Sequence, residues 1–391
     1  MAEDLFYDDL FQDDDDITIS SQETDLIVYS RDWTIQTIID QIEQGNIELN
    51  PGFQRRNAWN DNKRSKLIES ILIGYPVPEI VLAEDKNQKK SFLVIDGKQR
   101  LLTIAGFVNN AKYKYWDAKT PSIKGDSRFS GMSYNDILSN PEIRRVFDNS
   151  SLRCTVISNY LSDDELYDIF YRLNAASTPL ATQELRQALY RGEFSNYLIC
   201  KTDIDNPIRR VMRLSEADKR LRDVEVLLRL ISFLQSAKEY KGNLLKFLDS
   251  TMNDFNENWL EKKANIEELT QQIFDTISLM KDIFGDYYKV GRKYKEGQIE
   301  QRFNRVLLEV EVYFFRYLLG HELKSEDNES FVESFKNLCD SDTQFMLSLE
   351  GSTKSIQNYR VRYTKFWNIF TKSYPVIGPV DNPFPMSDDR E

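Results

Sequence analysis

A single histidine, His321, occurs in 391 residues. That excludes a multi-histidine zinc or iron site and an HNH-type nuclease, which need two or more imidazoles. A Ser-His-Asp triad would rest on His321 alone, and the run Leu-Leu-Gly-His-Glu-Leu reads more simply as a helix end or surface. The three cysteines, Cys154, Cys200 and Cys339, are too far apart for a metal-type pair or a disulfide framework, which fits a reducing cytosol. No run of 18 apolar residues exists, so no membrane span is expected. Neither Gly-x-x-x-x-Gly-Lys-[Ser/Thr] nor Gly-x-Gly-x-x-Gly occurs, so P-loop and Rossmann readings have no anchor. The first 30 residues lack Lys and Arg, unlike a signal or transit peptide; a cytoplasmic location is expected.

What is present is uneven charge. The chain carries 51 basic and 63 acidic side chains, a net −12. Ten acids fall within the first 30 residues, so only −2 remains for the rest. The body can therefore hold basic clefts. Residues 1–26 read as a disordered acidic tail with interspersed Phe6, Tyr7, Leu10 and Phe11. Such a segment is either a solvated leader or an occupant of a basic cleft, as a nucleic-acid mimic or partner-docking arm.

The apolar pattern divides the remainder. Ile35, Ile38, Ile39 and Ile42 fall at helical spacing after a short strand at Leu26–Tyr29, and Gly45-Asn46 stops that helix. A second helix, capped by Asn60 or Asp61, buries Leu67, Ile68, Ile71 and Leu72. Strands are expected over 78–83, 91–95 and 151–158, with a mixed strand and loop region over 112–150. Helical patterns then dominate, at 165–173, 182–190 and in amphipathic stretches near 215–236, 255–285, 298–320, 329–338 and 352–373. The expected fold class is α+β: an ordered front domain over 27–160, an all-helical domain over 161–375 and an irregular tail over 376–391.

Chemistry gathers at two segments, Gln54-Arg55-Arg56 and Asp96-Gly97-Lys98-Gln99-Arg100. The second is a strand–turn–helix junction. A buried strand delivers Asp96, Gly97 allows a tight turn and close approach, and a new helix presents N–H groups at its positive end. With Lys98 and Arg100 beside those groups the natural ligand is a phosphate, and Asp96 would hold Mg²⁺ or orient a water. The plainer reading is an Asp-Gly turn capping a helix, with Arg100 solvated. Arg55 and Arg56, set between Phe53 and Trp59, strengthen the phosphate reading, because a fixed guanidinium fork suits bidentate phosphate binding.

Residues 50–106 resemble the N-terminal domain of the GmrSD-type restriction endonucleases, within the ParB/sulfiredoxin-like superfamily. The pieces are Asn50-Pro51-Gly52-Phe53-Gln54-Arg55-Arg56 with Trp59, Leu67–Gly74 followed by Pro76-Val77-Pro78, and Ile95–Leu101. Phe170-Tyr171-Arg172-Leu173-Asn174, then Leu180 and Glu184-Leu185-Arg186, resemble a further family segment. The resemblance implies a ParB-like nucleotide-binding domain with a small mixed sheet, which hydrolyses nucleoside triphosphates with Mg²⁺ in bacterial defence against phage DNA. Carried over by position, Asp96, Gln99 and Arg100 are the catalytic core, with Asp96 as the metal residue. Gln54, Arg55, Gly97, Lys98, Arg172 and Asn174 are nucleotide-binding. Lys98 departs from the usual Asp-Gly-Gln-Gln-Arg signature, which puts exact nucleotide contacts and turnover in question. Members commonly append a histidine-based nuclease; with one histidine, cleavage here would fall to a separate nuclease subunit or another site, or would not occur.

Three stretches mix bases with aromatics or cluster bases: 209–222, 287–295 and 359–367. Arg209, Arg210, Arg213, Lys289, Arg292, Arg360 and Arg362 are the candidates for nucleic-acid binding, by phosphate tracking and base stacking; ordinary helix surfaces with core aromatics are the alternative. The sequence therefore predicts a nucleotide-hydrolysing defence protein that couples nucleotide state to DNA or a partner nuclease, oligomeric or not. The alternatives are a non-catalytic nucleotide-sensing or protein-interaction module, and a Mg²⁺-dependent DNA nickase using Asp96 and Lys98.

Overall fold

In a computed structural model, residues 26–47, 49, 59–86, 88–124, 128–162, 165–166, 169, 182–375 and 378–386 are described. The expectations for the acidic tail before Leu26, for Gln54 to Arg56, and for Arg172 and Asn174 lie outside them. Two compact units separate between Leu189 and Tyr190.

The front unit is built on a four-stranded mixed sheet. Its strands are β1 (Ile27–Thr34), β2 (Ile80–Glu84), β3 (Phe92–Asp96) and β4 (Ser151–Ser158). Their order is β1-β4-β2-β3. β4 runs antiparallel to β1 and parallel to β2, and β2 and β3 are antiparallel. The central strands read as apolar runs because they are buried: Ile80, Leu82, Ala83, Ile95 and Val156 have no exposure.

Among the described residues, six helices fill out this unit before β4 ends and the helix Thr182–Leu189 follows it. α1 (Ile35–Glu43) starts where the Thr34 hydroxyl accepts the Thr37 N–H at 3.1 Å, and buries all four isoleucines. α2 (Asp61–Ile73) is capped by Asn60, which accepts the Lys63 N–H at 3.0 Å, and ends at Gly74 with φ 84°. α3 (Lys98–Val108) follows β3 directly. α4 (Asn110–Tyr113), α5 (Tyr134–Ser139) and α6 (Pro141–Asn149) replace the strand content expected over 112–150. Ser133 and Asn140 cap α5 and α6, and such polar caps between short apolar patches defeat a strand reading. α7 (Thr182–Leu189) closes the unit, whereas the sequence placed the domain boundary at 160/161. A helix counted by periodicity alone joins its helical neighbours, but α7 packs against β3.

The second unit is helical, with a two-residue hairpin, Tyr294–Lys295 against Gln298–Ile299. Its helices are Glu193–Asp203, Pro207–Val211, Arg222–Ser236, Leu244–Glu257, Trp259–Phe284, Arg305–Phe315, Ser325–Ser341, Thr343–Glu350 and Ile356–Ser373. The stretch expected at 298–320 begins only at Arg305, where Asn304 caps the helix. The irregular segment 378–386 still packs: Phe384 is buried against Tyr359 and Tyr363. No described helix is long and apolar enough to cross a membrane.

This unit's core is polar as well as aromatic. Arg229 pairs with Glu309 and with Glu225, and the Tyr359 hydroxyl donates to Glu309 at 3.1 Å. Glu311 is fully buried; one carboxyl oxygen accepts the Gly291 N–H at 2.8 Å and the other takes no hydrogen bond. Burial pushes its carboxyl up to about 8, against the Gly291 hydrogen bond and the charge of Arg292. The folded state thus keeps a proton that the unfolded chain releases near 4.5, so stability falls as pH rises from about 4.5 to about 8. Glu311→Gln should flatten that decline and unfold later than wild type at pH 8, measured by urea titration across the pH range.

Candidate functional site

β3 carries Asp96 to the point where the strand stops. It lies opposite Val81, where the register between β2 and β3 shifts. The next residue must turn the chain into α3 against Ile80, and Gly97 does so with φ 95°. A Cβ there would stand 3.0 Å from Ile80 Cγ1 and 3.2 Å from Arg100 Nη2. Glycine is required twice, by backbone conformation and by space. Gly97, rather than Asp96, occupies the N-cap position, so no side chain caps α3.

Asp96 instead pairs with Arg100. The guanidinium Nη2 donates to Asp96 Oδ2 at 2.7 Å and to the Glu79 carbonyl at 2.9 Å. The Arg100 side chain is 12% exposed and its Nε is buried without a partner; Asp96 remains 36% exposed. Arg100 is therefore not the solvated residue of the plain turn reading. It is a mostly buried fork held at the mouth of the junction.

Gln99 faces a different network. Its side-chain oxygen accepts from the Tyr115 hydroxyl. Tyr115 is fully buried, and burial pushes its phenol up to about 12 against the opposing effect of Arg64. The Arg64 guanidinium lies 4.4 Å from the Tyr115 ring centre and pairs with Asp61. Asp61 also accepts the N–H groups of Asp117 at 3.1 Å and Ala118 at 3.4 Å. Burial would raise the Asp61 carboxyl, but those hydrogen bonds and Arg64 hold it below the ordinary range. Gln99 is thus oriented from behind by a chain of buried polar groups. Sequence reasoning missed Asp61, Arg64 and Tyr115. Their one signal was Arg64 lying three, four and seven positions before the buried Leu67, Ile68 and Ile71, a charge on the core face of α2.

The residues at this turn set limits on the metal. Among the described residues no group of three or more His, Cys, Asp or Glu side chains gathers to hold an ion. Asp96 offers one partly exposed carboxylate. One carboxylate completed by phosphate oxygens and water is an ordinary Mg²⁺ shell, so the donor set fits a metal that arrives with a phosphate ligand.

The nucleic-acid candidates separate by burial. Arg292 and Arg362 are corrected: both are buried, at 1% and 0% exposure. Arg292 donates to the carbonyls of Val211, Val290 and Gln301, and Arg362 to those of Ser348 and Thr353. Arg209 is buried too, and donates to the Ser215 carbonyl at 2.6 Å. None of these guanidiniums is presented to a polyanion. Arg360 is half-buried, on a helix whose Tyr359, Tyr363 and Phe366 are core. Arg210 and Arg213 are exposed and Lys289 half-buried, and the fold brings these three together.

Two glycines isolate the constraint at the turn. Gly97 and Gly74 both have positive φ, but a Cβ on Gly74 would meet nothing within 4 Å. Gly97→Ala should lose more than the roughly 1–2 kcal/mol of a left-handed alanine, and Gly74→Ala no more than that. Urea unfolding followed by tryptophan fluorescence checks the difference.

Residues 35–191 match the family model described as GmrSD restriction endonuclease, N-terminal domain. No curated protein and no solved structure matches the chain. The match spans β2, β3, β4 and α1 to α7, and includes both Asp96–Arg100 and Gln54-Arg55. The front of this chain is therefore similar to the N-terminal domain of GmrSD restriction endonucleases.

Proposed function

We propose that the front unit binds a nucleoside triphosphate at the β3–α3 turn and hydrolyses it as part of restriction-like defence against phage. The domain match supports the defence setting. The observation that carries the chemistry is the Asp96–Arg100 pair at the start of a helix without a capping side chain. Such a helix start directs N–H groups and a positive field at an anion.

In this reading the phosphate replaces Asp96 as the partner of Arg100. A guanidinium held by the Glu79 carbonyl needs little rearrangement to accept a phosphate oxygen in the same fork. Asp96, released from Arg100, then holds Mg²⁺ or orients the attacking water. The metal would neutralise charge on the phosphate oxygens as the bond to the leaving group breaks. Gln99 is anchored through Tyr115 and so ties the first turn of the helix to the buried polar groups behind it. Lys98 adds positive charge at the first turn of the helix. Nucleotide state would then bias the protein's engagement with DNA or a separate nuclease subunit.

One observation favours a second reading, a nucleotide sensor without turnover. At rest Asp96 is already neutralised by Arg100, and a ligand that leaves this pair intact would be bound but not hydrolysed.

Purified protein with Mg²⁺ should release phosphate from at least one of the four NTPs, and Asp96→Ala should reduce that rate at least 100-fold. Nucleotide-dependent thermal stabilisation without phosphate release identifies the sensor. Neither stabilisation nor release with any of the four removes both readings.

A further inference from the structure

A second basic cluster belongs to the helical unit and shares no residue with the nucleotide reading. It joins segments far apart in sequence. Arg210 sits near the end of the helix Pro207–Val211, with its guanidinium 5.5 Å from the centre of the Tyr287 ring. Arg213 follows in a left-handed conformation, φ 57°, and its guanidinium lies 5.5 Å from the Tyr288 ring. Lys289 Nζ lies 6.0 Å from the same ring. Tyr287, Tyr288 and Lys289 form one short 3₁₀ turn, so the two rings are consecutive.

The charge of the cluster is incompletely balanced. Arg210 pairs with Asp205 at 2.6 Å. Arg213 donates to the neutral Gln301 at 3.0 Å, and among the described residues no carboxylate pairs with Arg213 or Lys289. The nearby Asp286 carboxylate is occupied in capping its own turn, where it accepts the Tyr288 N–H.

The cluster is also held from beneath. Buried Arg292 donates to Val211 O at 2.9 Å, Val290 O at 3.0 Å and Gln301 O at 3.3 Å. Those carbonyls belong to the segments that carry Arg210, the tyrosine turn and the Gln301 partner of Arg213. Gly291, with φ 66°, completes the frame: its N–H goes to Glu311, its carbonyl accepts the Asn304 N–H, and a Cβ would stand 2.8 Å from the Phe303 ring. Burying a guanidinium is costly unless its donors are satisfied, and here three donors fix the relative positions of three surface segments. Arg292 itself is enclosed, and its role is to position the exposed residues around it.

We propose that Arg210, Arg213 and Lys289 with Tyr287 and Tyr288 form a binding site for single-stranded nucleic acid. Arg213 and Lys289 take phosphates, and bases stack on the tyrosine rings and on the guanidinium planes laid over them. Aromatic rings interleaved with cations are the chemistry of single-strand binding, in which every base offers a stacking face. A duplex does not expose base faces, and the five-residue helix that bears Arg210 is too short to read a major groove.

The test is anisotropy of a fluorescein-labelled oligothymidylate titrated with the full chain over a range of salt. Tyr288→Ala and Arg213→Gln should each weaken binding roughly tenfold, and Arg213→Gln should lower the salt slope by about one. Tyr288→Phe should keep the affinity, because stacking needs the ring and not the hydroxyl. Arg316→Gln removes a guanidinium laid over Tyr313 and Tyr317 elsewhere in the unit and should leave binding unchanged. Thermal melts of each variant separate a lost contact from a lost fold. The proposal is overturned if the intact chain does not bind the oligonucleotide, if folded Tyr288→Ala binds like wild type, or if blunt duplex binds as tightly with no dependence on Tyr288.

Discussion

The front unit turns on the contact between Gly97 and Ile80. β3 must end and α3 must begin within one residue, while the chain passes close to the neighbouring strand. Only a residue with no side chain meets both demands. Everything chemical at the junction inherits its position from that passage. Asp96 is left at the strand end, Arg100 one turn into the helix, and the spacing lets the two pair at 2.7 Å. Gln99 faces the other way, toward Tyr115 and the buried pair behind it. The same backbone geometry that makes a turn also leaves the helix start without a capping side chain, so its first N–H groups are not satisfied by one.

Both units use buried guanidiniums as fasteners. Arg64, Arg229, Arg292 and Arg362 are almost wholly enclosed, and each is spent on carboxylates, carbonyls or an aromatic face. Such groups contribute little net stability, yet removing one partner leaves a charge uncompensated, so they favour a single arrangement over near alternatives. This explains why counting bases along the chain misdirects. Arginines at 292 and 362 sit beside aromatic residues because the core encloses them, while those at 210 and 213 sit beside aromatic residues in space through folding.

Much of the front unit was legible. The isoleucines of α1, the Asn60 cap, the strand delivering Asp96 and the helix after Gly97 each follow from local periodicity or capping chemistry, which act over a few residues. The Asp96–Arg100 turn was legible for the same reason: a turn that needs glycine beside acid and base leaves a short, ordered signature. The region 112–150 was misread because short capped helices carry too few apolar residues to show a period. Placement of α7 was not legible, since joining a sheet's flank is a matter of contact and not of pattern.

The sequence by itself determined the local elements, the strand–glycine–helix turn at Asp96–Arg100, the exclusion of a multi-histidine metal site and the uneven distribution of charge. Tertiary structure alone decided which charges are available. Burial of Arg292 and Arg362, exposure of Arg210 and Arg213, the hold of the Glu79 carbonyl on Arg100 and the packing of Arg64 on Tyr115 behind Gln99 all depend on segments distant in sequence. The physical reason is that a charged side chain's role is set by its desolvation and its partners, and both are properties of the packed chain rather than of neighbours in sequence.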